Sequence, residues 1–152
     1  ELLEVLMAKG VAALNIVPDR NWNIADPAVR QVKLKALYEV VALAQELDLP
    51  LNIGTEMNTY GQKLVDDFDV PELQPVRQVF LDGAYFVYGH TLMQRALGLG
   101  YQSQWAKTHL PTRRERNAFY THIGRQLPPG EAGLALLKRV PQNAAPAQFL
   151  QI

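Results

Sequence analysis

Leu51-Asn52-Ile53-Gly54-Thr55-Glu56-Met57-Asn58 decides how this chain is read. Leu51 to Ile53 is a short apolar run, and glycine and oxygen-bearing side chains follow it at once. That is the pattern of a brief strand emptying into a loop. Upstream, Val11-Ala12-Ala13-Leu14-Asn15-Ile16-Val17 is a second apolar run, closed by Pro18, and it reads as a buried strand. Between the two, Asp26-Pro27 opens a helix: Asp26 can cap free amides, and Pro27 suits the first helical position. Val29, Val32, Ala36, Leu37, Val40, Val41, Ala44 and Leu47 recur at helical spacing, so the helix is expected to run to about Leu47 and to pack on a sheet. Asp48-Leu49-Pro50 stops it. Strand, helix, strand in this order implies two parallel strands joined by a right-handed crossover.

Outward from this unit the pattern turns helical. Glu1 to Lys9 predicts a short amphipathic helix stopped by Gly10. Asp19 to Ala25 reads as a polar loop. After Asn58, a loop runs through Tyr60, Lys63, Asp66, Asp67 and Asp69. Helices are expected over Pro71–Leu81 and Tyr85–Leu97. Thr112 and Glu115 form a capping box for a third, stopping at Gly124, and Glu131–Val140 is a fourth. The domain reading is 1–70 as strand-helix units, 71–140 as a helical extension and 141–152 as a flexible tail.

Composition bounds the rest. The 152 residues carry 15 basic and 15 acidic groups, 48% hydrophobic residues and no cysteine. That suits an ordinary folded domain and excludes global disorder. Zero net charge supplies no bulk field for nucleic acid or an anionic membrane, so neither partner is expected. Lacking cysteine, the chain has no disulfide, thiolate zinc site or cysteine nucleophile, and the compartment leans to the cytoplasm. No stretch is apolar for the ~18 residues of a membrane span. Glu1-Leu2-Leu3-Glu4 has neither an initiator methionine nor a basic leader and reads like mid-helix, so the chain is expected to be cut from a longer one. GxGxxG, Walker and GxSxG patterns are absent, and the three histidines have no metal spacing.

In parallel α/β folds, ligands bind at the carboxyl ends of strands. Two clusters fall there. One is Glu56 with Asn58: Glu56 is a candidate general base or metal ligand, and Asn58 would orient water or substrate. The bland alternative pairs Glu56 with a nearby Arg or Lys. The other cluster follows the first strand. Arg20 could clamp an anion, Asn21 and Asn23 could bind hydroxyls, and Trp22 could stack on a ring. The alternative is a polar loop around a partly buried tryptophan. Lys63 could meet an anion, while Asp66 and Asp67 are read as solvated acids more readily than as metal ligands. His90 is read as a packed structural histidine before a general base, and the Lys107, Arg113, Arg114, Arg116 patch as a solvated helix face.

The stretch from Ala44 to Asn58 resembles the end of a PHP-type domain, the polymerase and histidinol phosphatase family. There a helix leads to a late barrel strand ending in Gly-Ser-Asp-Ala-His. Gly54, Thr55, Glu56 and Asn58 stand at the Gly, Ser, Asp and His positions of that motif. The resemblance covers about the first sixty residues. It departs where Asn58 replaces a metal-binding histidine and Glu56 lengthens the carboxylate arm. It implies the C-terminal fragment of a β/α (TIM-like) barrel with a mainly helical extension, part of a metal-dependent hydrolase, in particular a phosphoesterase. It also implies a divalent ion (Mn, Zn or Mg) on Glu56, and a small anionic substrate held by Arg20, Asn21, Asn23 and Lys63. Such a segment would be weakly active or inactive by itself, and cut strand edges favour a homo-oligomer. The other readings are a sugar-processing barrel enzyme, with Asp19 as the second carboxylate, and a non-catalytic helical interaction module.

Overall fold

The structure is a computed structural model, and it describes residues 2–56, 60 and 65–152. Asn58 and Lys63, both expected at the site, lie outside the described residues. The fold is α/β and mainly helical, with two short parallel strands. It divides into two compact units, Glu1–Leu81 and Asp82–Ile152.

In the first unit, α1 (Leu2–Ala8) leads to β1 (Leu14–Ile16). The helical turn α2 (Asp19–Trp22) follows, where a loop was expected; Asn21, Trp22 and Asn23 amides bond back to Pro18 and Asp19 carbonyls. The long helix α3 (Pro27–Glu46) starts as its sequence signals require: the Asp26 carboxylate accepts from the amides of Ala28 at 2.8 Å and Val29 at 3.1 Å. It ends in a paired turn, with Asp48 N bonded to Gln45 O and Leu49 N to Ala44 O, and with Asp48 held at φ 51°. The chain then enters β2 (Leu51–Ile53), parallel to β1 with Leu14, Asn15 and Ile16 opposite Leu51, Asn52 and Ile53.

The apolar stripe expected on α3 is only partly used. Leu37, Val41 and Ala44 are buried, whereas Val29, Val32 and Val40 are exposed. Two strands of three residues are too narrow to cover a 20-residue helix, so one strip of it packs. The core joins Leu37 and Val41 to Trp22, Leu51, Leu73, Val76 and Phe80. These last residues place the end of the unit at Leu81 instead of near residue 70.

The two helices expected over Pro71–Leu81 and Tyr85–Leu97 are one. After a 3-10 turn at Gln74–Val76, α4 runs unbroken over Arg77–Leu97. Asp82-Gly83-Ala84 does not interrupt it, and Gly83 is buried. The second unit continues with α5 (Gln104–His109), α6 (Arg113–Gln126), α7 (Glu131–Leu137) and α8 (Pro146–Phe149). Thr112 and Glu115 form the expected reciprocal cap. Gly124 is no stop: α6 continues to Gln126, and Gly124 instead faces the Tyr85 carbonyl across the α4–α6 crossing. The tail expected to fray is packed, with Ala144 and Phe149 buried and the Trp105 indole donating to the Ala144 carbonyl at 2.9 Å.

Candidate active site at the strand ends

Parallel pairing makes β1 and β2 leave the sheet at the same end. The ladder extends one step beyond β2, with Gly54 N donating to Ile16 O at 2.8 Å. Asn15 and Asn52, opposite one another in register, share a face, and Asn52 Nδ2 donates to Asn15 Oδ1 at 3.0 Å. Gly54 leaves room for that carboxamide: a Cβ there would fall 2.5 Å from Asn15 Nδ2. The two chain exits therefore run side by side, one into α2 and the other into Thr55 and Glu56.

Here Arg20 meets Glu56. Nε and Nη2 of Arg20 both donate to the same Glu56 Oε2, at 3.0 and 2.5 Å. About half of each side chain stays exposed, 50% for Arg20 and 44% for Glu56. Sequence reading placed both at the site but assigned them to substrate and metal separately. The structure brings them together as an ion pair, which is the bland alternative for Glu56.

The neighbouring polar groups brace the exits. Asn21 Nδ2 donates to the Lys33 carbonyl of α3 at 3.0 Å, and Asn23 Nδ2 to Asp19 Oδ1 at 3.0 Å. Trp22 is buried and offers no stacking face; its indole N–H donates to Asp66 Oδ1 at 3.1 Å. Asp66, read as a solvated acid, is 5% exposed. The missed signal was Trp22 itself, since a buried indole N–H requires an acceptor. Asp67 turns its Oδ1 to the Asp69 amide at 3.2 Å.

Asp19, Thr55, Glu56, Val65 and Asp66 line a cleft of about 10 Å³, room for roughly one water. A larger depression of about 740 Å³ runs along α3 past Arg30, Leu34, Lys35 and Tyr38. Among the described residues one helix alone lines it, so its polar groups do not converge from several elements as those of a binding pocket do. Among the described residues no three His, Asp or Glu side chains converge as a metal site. The three carboxylates of the small cleft do not fit a divalent ion as they stand: Glu56 is held by Arg20, Asp19 by Asn23 and Asp66 by Trp22.

His90 belongs to the second unit and is structural. Its Nδ1 accepts from the Tyr101 amide at 2.9 Å, its ring packs edge-on to Tyr120, and burial holds its pKa below the ordinary value.

No family model, curated protein or solved structure matches this chain. Among the described residues, no helix is long and apolar enough to cross a membrane.

Proposed function

We propose that the chain is the strand-end portion of a β/α-barrel hydrolase acting on small phosphoesters. The observation that carries this reading is the Arg20–Glu56 pair, held at the carboxyl ends of two adjacent parallel strands beside Asp19, Thr55 and Asp66. An exposed guanidinium paired with a carboxylate exchanges partners readily, because such a pair is worth only about 0–1 kcal/mol. A phosphoryl group of the substrate takes the guanidinium. Glu56, released, accepts a proton from water as the water oxygen bonds to phosphorus. The bond from phosphorus to the leaving oxygen breaks, and that oxygen takes up a proton from Glu56 or solvent. No step is routed through a metal, since the described donor set does not fit one.

The barrel setting is supported by the strand-α3-strand unit and by Val29, Val32 and Val40. These lie exposed on α3 where neighbouring β/α units would cover them. A sugar-processing reading draws on one observation, that Asp19 and Glu56 line the same cleft and supply two carboxylates.

Calorimetric titration of inorganic phosphate into the chain, Arg20→Ala and Glu56→Gln tests the proposal, followed by hydrolysis of p-nitrophenyl phosphate with and without Mn²⁺. Phosphate binding that vanishes with Arg20 and tightens with Glu56→Gln, together with slower hydrolysis by Glu56→Gln, supports it. Phosphate binding that neither substitution alters refutes it.

A further inference from the structure

The middle residue of each strand is an asparagine. Leu14, Ile16, Leu51 and Ile53 turn to the core with Leu37 and Val41 of α3. Alternation along a strand sends Asn15 and Asn52 to the opposite face. Asparagine is depleted in strands: its short amide competes for backbone hydrogen bonds, and valine or threonine fits a pleated surface better. Here it holds the central register position of both strands. Locally unfavourable residues collect at functional positions.

The chemistry of the pair suits a ligand with hydroxyls. Asn15 is exposed and Asn52 partly buried, and the bond from Asn52 Nδ2 to Asn15 Oδ1 at 3.0 Å uses one donor and one acceptor. A carboxamide carries two N–H donors and a carbonyl that can accept twice. Two of them side by side match neighbouring hydroxyls, each of which both donates and accepts. Being uncharged, they have no preference for an anion; the anion's partner at the strand ends is Arg20, beside Glu56. Gly54 joins the two places. A Cβ there would overlap the Asn15 carboxamide, so the backbone is bare toward it. Glu56 follows two residues on, at most about 7 Å of extended chain. That is the scale of a sugar phosphate.

We infer that Asn15 and Asn52 are specificity-determining residues that read the hydroxyls of a sugar or polyol phosphate whose phosphoryl group sits on Arg20. The inference rests on the phosphoester reading of the strand ends and names its substrate class. A pair that only braced the strand register would matter to stability and leave ligand choice untouched.

The test is calorimetric titration of inorganic phosphate, ethyl phosphate and glucose 6-phosphate into the full chain, Asn15→Val and Asn52→Val. Ethyl phosphate carries the ester without the hydroxyls. The parent should bind glucose 6-phosphate about tenfold more tightly than ethyl phosphate, the effect of one or two net hydrogen bonds. Valine suits a strand, so each variant should melt no lower than the parent, bind inorganic phosphate as before, and bring the ratio to within about twofold. Asn15→Ser and Asn52→Ser, shorter but polar, serve where valine disturbs the fold and should lower the ratio in the same direction. A parent that binds inorganic phosphate yet shows no preference between the two esters overturns the inference and leaves the strand-end reading standing; this measurement needs no variant. A preference that survives the substitutions also overturns it, and lower melting with that preference intact identifies a structural brace. Failure of inorganic phosphate to bind the parent overturns the strand-end reading and the inference with it.

Discussion

Replacing Gly89 by alanine should destabilise the second unit, although alanine is the better helix former by about 1 kcal/mol. Gly89 of α4 and Gly124 of α6 lie where the two helices cross backbone to backbone. A Cβ on Gly89 would fall on the Tyr120 carbonyl oxygen and 2.7 Å from the Gly124 nitrogen, where ordinary contact begins at 3.4 Å. The obstacle is backbone, so no side-chain rotation relieves it, and the helices must part by at least the 0.7 Å separating those two values. Parting them loosens the ring cluster of Phe86, Tyr101 and Tyr120, whose centroids lie 5.2 to 6.4 Å apart, and strains the buried Tyr120 hydroxyl bond to Leu99 O at 2.7 Å. Overpacking of this kind costs about 1–3 kcal/mol or more, and here the upper end applies, leaving a net loss of about 2 kcal/mol after the propensity gain. A loss of that size lowers the melting temperature by roughly 8–16 °C if the unit melts by itself, and by about half that if the whole chain melts together. Thermal denaturation followed by circular dichroism measures it. A Gly89→Ala protein that melts at or above the parent temperature would show that the helices do not approach this closely, and the packing account would fail.

Trp22→Phe removes the indole donor to Asp66 in a buried setting and should cost about 1.5–3 kcal/mol, read as a lower urea midpoint at unchanged slope; an unmoved midpoint would deny that bond its structural role. Asp26→Ala deletes the two-amide cap of α3 and should cost about 1 kcal/mol by the same assay. His90 accepts the Tyr101 amide while neutral, and burial lowers its folded pKa from 6.5. The unfolded chain therefore binds this proton more readily, so the contribution is complete above pH 6.5 and is lost as pH falls through the folded value. His90→Gln should flatten the fall in stability from neutral toward mildly acid pH, and an unchanged slope in melting temperature against pH would assign the effect elsewhere.

What the sequence made legible was local. Leu51-Asn52-Ile53 is the strand it was read to be, Asp26 caps where it was placed, and Thr112 and Glu115 close their box, because each is decided within four residues. What was illegible depended on partners far along the chain. Gly83 and Gly124 have the composition of helix stops, yet both lie inside helices, and Gly124 serves a crossing that local sequence does not announce. Trp22 and Asp66 are 44 residues apart, and Arg20 and Glu56 are 36 apart. Their types drew attention singly, but only strand pairing brings them together. A charge division was hidden for a simpler reason: the first unit carries seven basic and twelve acidic residues and the second eight and three, and a whole-chain sum erases that difference.

That division also constrains the strand-end site. Asp19, Glu56 and Asp66 line its cleft, and Arg20 is the cation seated beside them. An incoming phosphate must therefore compete with Glu56 for the guanidinium and approach carboxylates as it does so. The competition is gentle, since a half-exposed pair contributes about 1 kcal/mol at most, and 1.4 kcal/mol corresponds to tenfold in affinity. Glu56→Gln should accordingly tighten phosphate by no more than about fivefold, whereas Arg20→Ala removes the anion's main contact. A much larger gain would mean that Glu56 holds Arg20 as firmly as a buried partner, which the exposure of both side chains contradicts. No gain at all would mean that phosphate does not take the guanidinium from Glu56, and the exchange on which the hydrolytic reading depends would not occur.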